Sequence, residues 1–315
     1  MIKRLLKLAL SIGLLLPVFL NWSCGSRKST VPENFDLQGH RGAMGLKPEN
    51  TIPGFIKAAE LGVNTIEFDL AVSEDQKLVV SHDPWFRSDI CLQPDQSPIP
   101  GQQERAFRLY EMPYSEIKRF DCGSLQNPSH PGQKTLPAKK PLMTDAITAV
   151  DKHVAPLDRK PVRYNIEIKS NPAWDQSLTP DPETFAKLLL QELSQLQKTL
   201  DENIFKRVNI QSFDPRPLKA FREIAPNIPI AILTYEVGSV DEHIENFGFL
   251  PEIYSPNYGI LTPEHIERCR ELGIRIIPWT VNRPEDIRNM VELGVSGLIT
   301  DYPNRFFQLY KREEG

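Results

Sequence analysis

Short apolar runs alternate with longer stretches of helical periodicity from residue 35 to the end of the chain. The short runs have the length and β-branched content of buried strands. In the longer stretches apolar residues recur every three to four positions, as they do in amphipathic helices. Strands are therefore predicted over residues 35–40, 64–70, 77–81, 163–168, 207–212, 229–235, 252–254, 275–279 and 297–300.

The helical stretches lie between most of these strands and carry recognisable start and stop signals. Pro215, Pro263 and Pro284 stand at predicted first turns, where a residue without an N–H is tolerated. Leu-Gly pairs end three of the stretches, as expected for a left-handed cap before the next strand. Helices are predicted over residues 51–61, 144–151, 182–200, 215–225, 241–247, 263–272, 284–293 and 303–311.

Alternation of strands and helices predicts a parallel sheet, and the strand count narrows the architecture. Segment 77–81 follows segment 64–70 after only a short turn, whereas a parallel neighbour needs a crossover of about a dozen residues. We therefore interpret segment 77–81 as a hairpin. The eight remaining strands predict an α/β fold, a TIM (β/α)8 barrel.

A long insertion follows the second barrel strand. It covers residues 84–141, is rich in Pro, Gln and Ser, and has helical character only at 114–120. This length exceeds that of an ordinary connection inside a compact domain. The insertion is therefore predicted to form a lobe or flap over the barrel mouth.

The N-terminal segment differs from the rest of the chain. Lys3, Arg4 and Lys7 precede an apolar run at 8–20, which is the pattern of an export signal. The following Cys24 resembles the lipidated cysteine of bacterial lipoproteins, so an exported, membrane-anchored protein of the bacterial cell envelope is expected. Cleavage with secretion and an uncleaved anchor are the alternatives. The predicted parts are a signal peptide at 1–23, a tether at 24–34 and one domain at 35–315.

Charge and composition exclude several classes of protein. The chain is 40% hydrophobic and 25% charged, which is globular composition and not that of a disordered or many-pass membrane protein. Loss of the signal peptide removes three cations and shifts the formal charge from −4 to −7. Because no basic stripe is present to neutralise phosphates, no nucleic-acid partner is expected. The sequence leaves the oligomeric state open.

Three cysteines remain after Cys24. An exported chain meets an oxidising compartment, so Cys91 and Cys122, both in the insertion, are a candidate disulfide pair. Cys269 is left over on a predicted helix.

Ionisable side chains collect where the predicted barrel strands end. Glu67 and Asp69 stand two apart on one strand, so their side chains point to the same face. Glu167 and Lys169 have the same spacing on the next barrel strand. Barrel enzymes carry their catalytic groups at this end of the strands, so the four side chains are expected to converge.

Three converging carboxylates repel one another, and a divalent cation relieves that repulsion. Oxygen ligands favour one Ca²⁺ or Mg²⁺ ion over zinc, so Glu67, Asp69 and Glu167 are predicted metal ligands. His40 follows the first predicted strand and His82 follows the hairpin, and both are predicted to transfer protons. The cations Arg41 and Lys169 suit a phosphate group. These residue types favour phosphodiester hydrolysis over acyl or glycosyl transfer.

The motifs in their order along the chain resemble those of the glycerophosphodiester phosphodiesterase family. The resemblance implies a TIM-barrel enzyme that converts a small-molecule glycerophosphodiester to glycerol 3-phosphate and an alcohol. The motifs are GHRGAMGLKPENT at 39–51, EFDLAVSEDQKLVVSHD at 67–83, IEIK at 166–169, QSFD at 211–214, WTVN at 279–282 and GLITDYP at 297–303.

The resemblance also implies residue roles. It makes His40 and His82 the catalytic acid/base pair, and it makes Trp279 an aromatic that lies against the glycerol. Glu49 is expected to brace Arg41. The glycerol hydroxyl next to the phosphate would attack first to give a cyclic phosphate, although direct attack by water is equally compatible with the sequence. The metal and phosphate ligands that it implies are those already assigned: Glu67, Asp69 and Glu167 for the metal, and Arg41 and Lys169 for the phosphate.

Two other functions remain open at this point. One is a related barrel phospholipase, of the phosphatidylinositol-specific or sphingomyelinase D kind, acting on intact lipid. An exposed apolar rim on the insertion would favour it. The other is a non-catalytic lipoprotein that binds glycerophosphate. Four histidines placed in loops or on polar helix faces receive no role: His130, His153, His243 and His265.

Overall fold

The computed structural model describes residues 31–157 and 159–310. The predicted signal peptide and Cys24 lie outside these residues. The barrel strands are β1 (Asp36–Gly39), β2 (Thr65–Val72), β4 (Arg163–Ile168), β5 (Val208–Ser212), β6 (Ile230–Thr234), β7 (Ile253–Pro256), β8 (Arg275–Ile276) and β9 (Gly297–Thr300), and β3 is Leu78–Val80. The helices are α1 (Ile52–Leu61), α2 (Tyr114–Ile117), α3 (Met143–Val154), α4 (Pro182–Thr199), α5 (Pro215–Ile224), α6 (Val240–Phe247), α7 (Pro263–Leu272), α8 (Pro284–Leu293) and α9 (Pro303–Leu309).

Eight parallel strands form a nearly closed barrel in the order β8-β7-β6-β5-β4-β2-β1-β9. The ends of this order meet through backbone hydrogen bonds. The N–H of Ser296 donates to the carbonyl of Ile276 at 2.8 Å, and that of Ile299 donates to the carbonyl of Pro278 at 2.9 Å. β3 pairs antiparallel with β2 and takes no place in the ring. The predicted TIM barrel and its hairpin are therefore confirmed.

The helix boundaries follow the local signals. Proline occupies the first turn of α5, α7, α8 and α9. Gly62 ends α1 with a φ of 94°, a left-handed conformation that glycine adopts without strain. No helix among residues 31–157 and 159–310 has both the length and the apolar character needed to cross a membrane.

The barrel interior is divided into an apolar and a polar half. Apolar side chains from β6, β7, β9 and the segment after β8 fill one half: Ala231, Ile253, Ile277 and Ile299. Hydrogen-bonded amides from β1, β4 and β5 fill the other half: Gln38, Asn165, Asn209 and Gln211. The polar half leads upward to the carboxyl ends of the strands, where the candidate site lies.

The insertion builds a small core of its own. Phe86 stacks on Phe120 with ring centroids 3.8 Å apart, and a disulfide joins Cys91 to Cys122. Cys269 is free and buried. The predicted helix at 114–120 ends at Ile117 instead, because the chain turns there to bury Phe120 in this core.

Candidate active site

The predicted carboxylate cluster is present at the barrel mouth. Glu67 and Asp69 extend from β2 and Glu167 from β4, and one oxygen of each lies within 4.8 Å of the other two. Asp69 and Glu167 are paired residues on adjacent strands, which brings their side chains together. Phe68, between the first two, points outward and packs against Phe55. The period of two along β2 thus separates site from core.

These carboxylates are buried and only partly compensated. Burial raises the pKa of Glu67 to about 8, and the negative charges of Asp69 and Glu167 add to the effect. Burial also raises the pKa of Glu167. Burial opposes ionisation of Asp69 as well, but nearby cations outweigh it and hold the pKa of Asp69 well below its usual range. Three buried carboxylates whose charges are only partly compensated offer oxygen ligands that suit a hard divalent cation.

Lys169 is the cation nearest to the cluster. Its Nζ donates to Glu167 Oε1 at 2.8 Å and lies 3.8 Å from Asp69 Oδ1. Burial alone would lower the pKa of Lys169, but these two carboxylates outweigh burial and raise it. Lys169 therefore stays protonated as a fixed positive charge at the barrel mouth.

His40 follows β1 and is held by a carboxylate from the other end of the chain. Its Nδ1 lies 2.5 Å from Oδ1 of Asp301, just after β9. The amide of Asn282 donates to Asp301 Oδ2 at 2.6 Å. Burial would lower the pKa of His40, but the charge of Asp301 outweighs burial and raises it. Asp301 follows the strand predicted at 297–300, but no local pattern in the sequence indicates that it pairs with His40.

Arg41 follows His40 and joins two parts of the site. Its backbone adopts a φ of 47°, and its N–H donates to Glu67 Oε2 at 2.8 Å. Its guanidinium donates to Glu49 Oε1 at 2.9 Å, which is the brace expected from the sequence. The Nε of Arg41 lies 3.4 Å from Asp69 Oδ2. Arg41 thus approaches the carboxylate cluster with both its backbone and its side chain.

Two amides orient the carboxylates of β2. Asn50 donates to Asp69 Oδ2 at 2.8 Å, and Gln211 donates to Glu67 Oε1 at 3.0 Å. Both are buried. Because these amide groups donate to oxygen atoms of the carboxylates, they fix the direction in which Glu67 and Asp69 face.

His82 stands at the end of the hairpin, beside the cluster. Its side chain is 30% exposed, and its Nδ1 lies 3.2 Å from Asp83 Oδ2. Lys140 from the end of the insertion lies close by and donates to Ser81 Oγ at 2.7 Å. Burial lowers the pKa of Lys140 to about 8. The position of Lys140 at the site is not predictable from the sequence, since nothing in its local pattern indicates that the insertion returns there.

Two aromatic side chains that follow barrel strands, Trp279 and Phe213, meet to form an aromatic wall. Trp279 donates through its indole N–H to the carbonyl of Ser255 at 2.9 Å. Its ring meets Phe213 edge-on, with centroids 5.4 Å apart. Lys169 Nζ lies 6.0 Å from the centroid of Phe213. The wall therefore adjoins the cationic side of the carboxylate cluster.

The prediction that four histidines lie in loops or on polar helix faces is wrong for His243, which is buried on α6. His130 lies in a loop as predicted, but its side chain is buried. The Nε2 of His130 lies 3.7 Å from Asp301 Oδ2. His243 is buried against Tyr254, to whose hydroxyl its Nδ1 is hydrogen-bonded at 2.9 Å. The contacts of His130 are with residues far away in the sequence, and His243 packs against a strand residue 11 positions further along the chain.

Comparison with known proteins identifies relatives of this chain by sequence. A profile of the glycerophosphoryl diester phosphodiesterase family matches residues 40–305. A glycerophosphodiester phosphodiesterase of Caldanaerobacter subterraneus is 31% identical over 276 residues, which cover 87% of this chain and 96% of the relative. A glycerophosphodiester phosphodiesterase of Bacillus subtilis is 27% identical, with 96% of both chains covered.

Solved structures agree with the sequence relatives. A protein of Silicibacter pomeroyi assigned to the same enzyme class superposes with a TM-score of 0.76 at 27% identity, covering 89% of this chain and 94% of its own. An Oleispira antarctica phosphodiesterase, solved with its product sn-glycerol-3-phosphate, shares the fold with a TM-score of 0.67 at 18% identity, covering 89% of this chain and 96% of its own. By the extent of these matches, the chain belongs to the glycerophosphoryl diester phosphodiesterase family.

Proposed function

We propose that this protein hydrolyses glycerophosphodiesters to glycerol 3-phosphate and an alcohol, with one Ca²⁺ or Mg²⁺ ion held by Glu67, Asp69 and Glu167. The observation that carries the proposal is the cluster of three buried carboxylates within 4.8 Å, with Lys169 beside it. When bound, the cation would polarise a phosphoryl oxygen and help to orient the attacking hydroxyl.

His40 and His82 are the proposed acid and base. One accepts the proton of the attacking oxygen and the other donates a proton to the leaving oxygen. The strands that precede them, β1 and β3, both pair with β2, which carries Glu67 and Asp69. Asp301 holds the His40 ring through Nδ1, so the Nε2 atom of His40 is left for proton transfer.

The remaining predicted residues would bind the substrate. Arg41 and Lys169 supply positive charge for the phosphate, and Trp279 supplies a flat surface for the glycerol carbons. The glycerophosphate bound to the Oleispira antarctica relative has the chemistry of the proposed product. Attack by the neighbouring glycerol hydroxyl predicts slow cleavage of a diester that lacks this hydroxyl. Equal rates for both diesters would support direct attack by water.

Release of glycerol 3-phosphate from glycerophosphocholine tests the proposal. The purified protein is assayed after chelation, and again with Mg²⁺ or Ca²⁺ restored, beside Glu67→Ala. We expect metal-dependent release that the variant lacks. The absence of release with either metal would contradict the proposed reaction.

Intact lipid is a weaker candidate substrate. The large hydrophobic side chains exposed in the described part of the chain are Leu157, Ile224, Tyr235, Val237 and Leu250, and none of them belongs to the insertion at 84–141. The apolar rim that would favour a lipid substrate is therefore missing from the described insertion. Phospholipid vesicles in the same assay compare the two substrates directly.

We also propose that the protein is exported and anchored through a lipid on Cys24. The signal-like segment and the polar tether at 24–34 support this location. Metabolic labelling with a fatty-acid analogue tests it. Equal labelling of the protein and of Cys24→Ala would refute the anchor.

A further inference from the structure

Residues 126–134 of the insertion return to the barrel mouth and are here named the clamp loop. Three of its polar side chains are almost fully buried: Asn127 is 3%, His130 6% and Gln133 5% exposed. Burying polar groups in irregular structure is unfavourable unless they find partners. All three find them in the barrel.

His130 contacts the carboxylate that holds His40. Its Nδ1 is hydrogen-bonded to the hydroxyl of Tyr302 at 3.0 Å. Its Nε2 lies 3.7 Å from Asp301 Oδ2, while the other oxygen of Asp301 lies 2.5 Å from His40 Nδ1. His130 therefore contributes to the orientation of the carboxylate that orients His40.

Asn127 has the same relation to Arg41. Its side-chain amide donates to Glu49 Oε2 at 3.3 Å, and the other oxygen of Glu49 accepts from the Arg41 guanidinium at 2.9 Å. Each of these two clamp-loop side chains thus touches a carboxylate whose second oxygen holds a residue of the proposed site.

The clamp loop also holds the main chain between these contacts. Gln133 donates to the carbonyl of Met44 at 2.7 Å, and the N–H of Lys134 donates to the carbonyl of Leu46 at 3.0 Å. Within the loop, Gln126 donates to the carbonyl of His130 at 2.8 Å. The loop and the segment after β1 are therefore joined at several points.

We propose that the clamp loop positions the reacting groups, with His130 acting on His40 through Asp301, and Asn127 acting on Arg41 through Glu49. The effect on catalysis rests on the proposed hydrolysis. Both are positioning residues, because neither touches the carboxylate cluster. The two contacts predict separable effects: loss of the first lowers kcat, and loss of the second raises KM.

Two conservative variants separate positioning from simple packing. The amide of glutamine reaches about as far as the Nε2 of histidine, and that of asparagine about as far as Nδ1. His130→Gln keeps the contact with Asp301, and His130→Asn keeps the contact with Tyr302. We expect His130→Asn to lower kcat about tenfold at unchanged KM and His130→Gln to stay within about twofold. The reverse order, or equal losses, would overturn the proposal for His130.

Asn127→Ala tests the second contact. We expect KM to rise about fivefold with little change in kcat, because Arg41 loses part of its brace. Gln126→Ala is the matched control, since Gln126 is exposed and bonds only within the loop. An unchanged KM in Asn127→Ala, or an equal rise in Gln126→Ala, would overturn the proposal for Asn127.

A spectroscopic measurement separates this inference from the proposed function. The proton between His40 Nδ1 and Asp301 should give a low-field imidazole signal in the NMR spectrum of the full chain. We expect this signal to shift in His130→Asn and to stay in place in His130→Gln. An unshifted signal in His130→Asn would refute the positioning role, whether or not the protein hydrolyses the diester. A shifted signal in an inactive protein would instead place the failure in the proposed function.

Discussion

Buried carboxylates occur at both ends of the barrel interior, and their surroundings differ. The lower end is the end at which the strands begin, and the upper end is the one at which they finish and where the site lies. At the lower end Asp36 accepts from Thr65 at 2.7 Å and from Gln38 at 3.1 Å, and it pairs with two guanidinium groups. These belong to Arg163 at 2.8 Å and Arg275 at 3.0 Å. At the upper end, Glu67, Asp69 and Glu167 face one another with fewer donors between them.

The difference distinguishes a carboxylate that stabilises the fold from carboxylates that are available to bind a cation. Asp36 has all its oxygens bonded and its charge balanced, so it stabilises the fold and has little capacity left for a ligand. The upper carboxylates repel one another, and the pKa of Glu67 is raised to about 8 in consequence of its burial and of its neighbours. Buried carboxylates whose charge Lys169 and Arg41 balance only in part mark the end of the barrel where a cation is expected to bind.

The largest expected effect comes from neutralising one upper carboxylate. Glu67→Gln should reduce glycerol 3-phosphate release by at least about 100-fold, because a ligand of the proposed cation is lost. Asp36→Asn is the matched control, because it makes the same chemical change at the lower end of the barrel. This variant should keep its activity per folded molecule. Steady-state assays on both variants make the comparison. Equal losses of activity in the two variants would contradict the distinction between the carboxylates at the two ends of the barrel.

Asp301→Asn should have the next largest effect. Without the carboxylate, the protonated form of His40 loses its partner and the raised pKa of His40 falls. We expect kcat to fall about 10- to 100-fold and the limb of the pH–rate profile that follows His40 to move to lower pH. A profile with unshifted limbs would show that Asp301 does not control the protonation of His40.

A change at Asp36, at the lower end of the barrel, is expected to alter the stability of the protein and not its activity. Asp36→Asn leaves Arg163 and Arg275 without their carboxylate, although both side chains are 41% exposed and stay partly hydrated. We therefore expect a loss of about 2 kcal/mol in the free energy of unfolding, less than for a fully buried pair. Urea unfolding measures it. An unchanged midpoint would contradict the structural role of Asp36.

The smallest effect concerns a buried carboxylate that lies outside the barrel interior. Glu192 on α4 accepts from the N–H of Leu78 at 3.2 Å, and burial raises its pKa from 4.5 to about 7. The unfolded chain ionises at lower pH, so Glu192 should reduce stability as the pH rises from about 4.5 to 7. Glu192→Gln should abolish this pH-dependent loss, because glutamine does not ionise. Unfolding curves at several pH values test this, with exposed Glu183→Gln as the control.

The fold follows largely from local signals in the sequence. Proline at the start of helices, glycine at their ends and the short turn before β3 predict the barrel and its hairpin. The last turn of the barrel is less predictable. The strand expected at 275–279 is regular only over Arg275–Ile276, since Pro278 has no N–H to continue the ladder.

The site divides in the same way. Glu67, Asp69 and Glu167 could be found because strand periodicity fixes the direction of their side chains. The partners of His40 and Arg41 could not be found fully. His130 and Asn127 lie in irregular structure, and their contacts depend on how the insertion returns to the barrel. No periodic pattern in the sequence encodes that return.

Pairing of the first barrel strand with the last also determines when the site can exist during biosynthesis. β1 pairs with β9, and His40 is held by a carboxylate 261 residues further along the chain. A nascent chain from which β9 has not yet left the ribosome lacks the strand that pairs with β1 and the carboxylate that holds His40, however well its earlier strands have folded. Assembly of the proposed proton-transfer site therefore coincides with completion of the chain. A polypeptide that ends before β9 would be catalytically silent from the start.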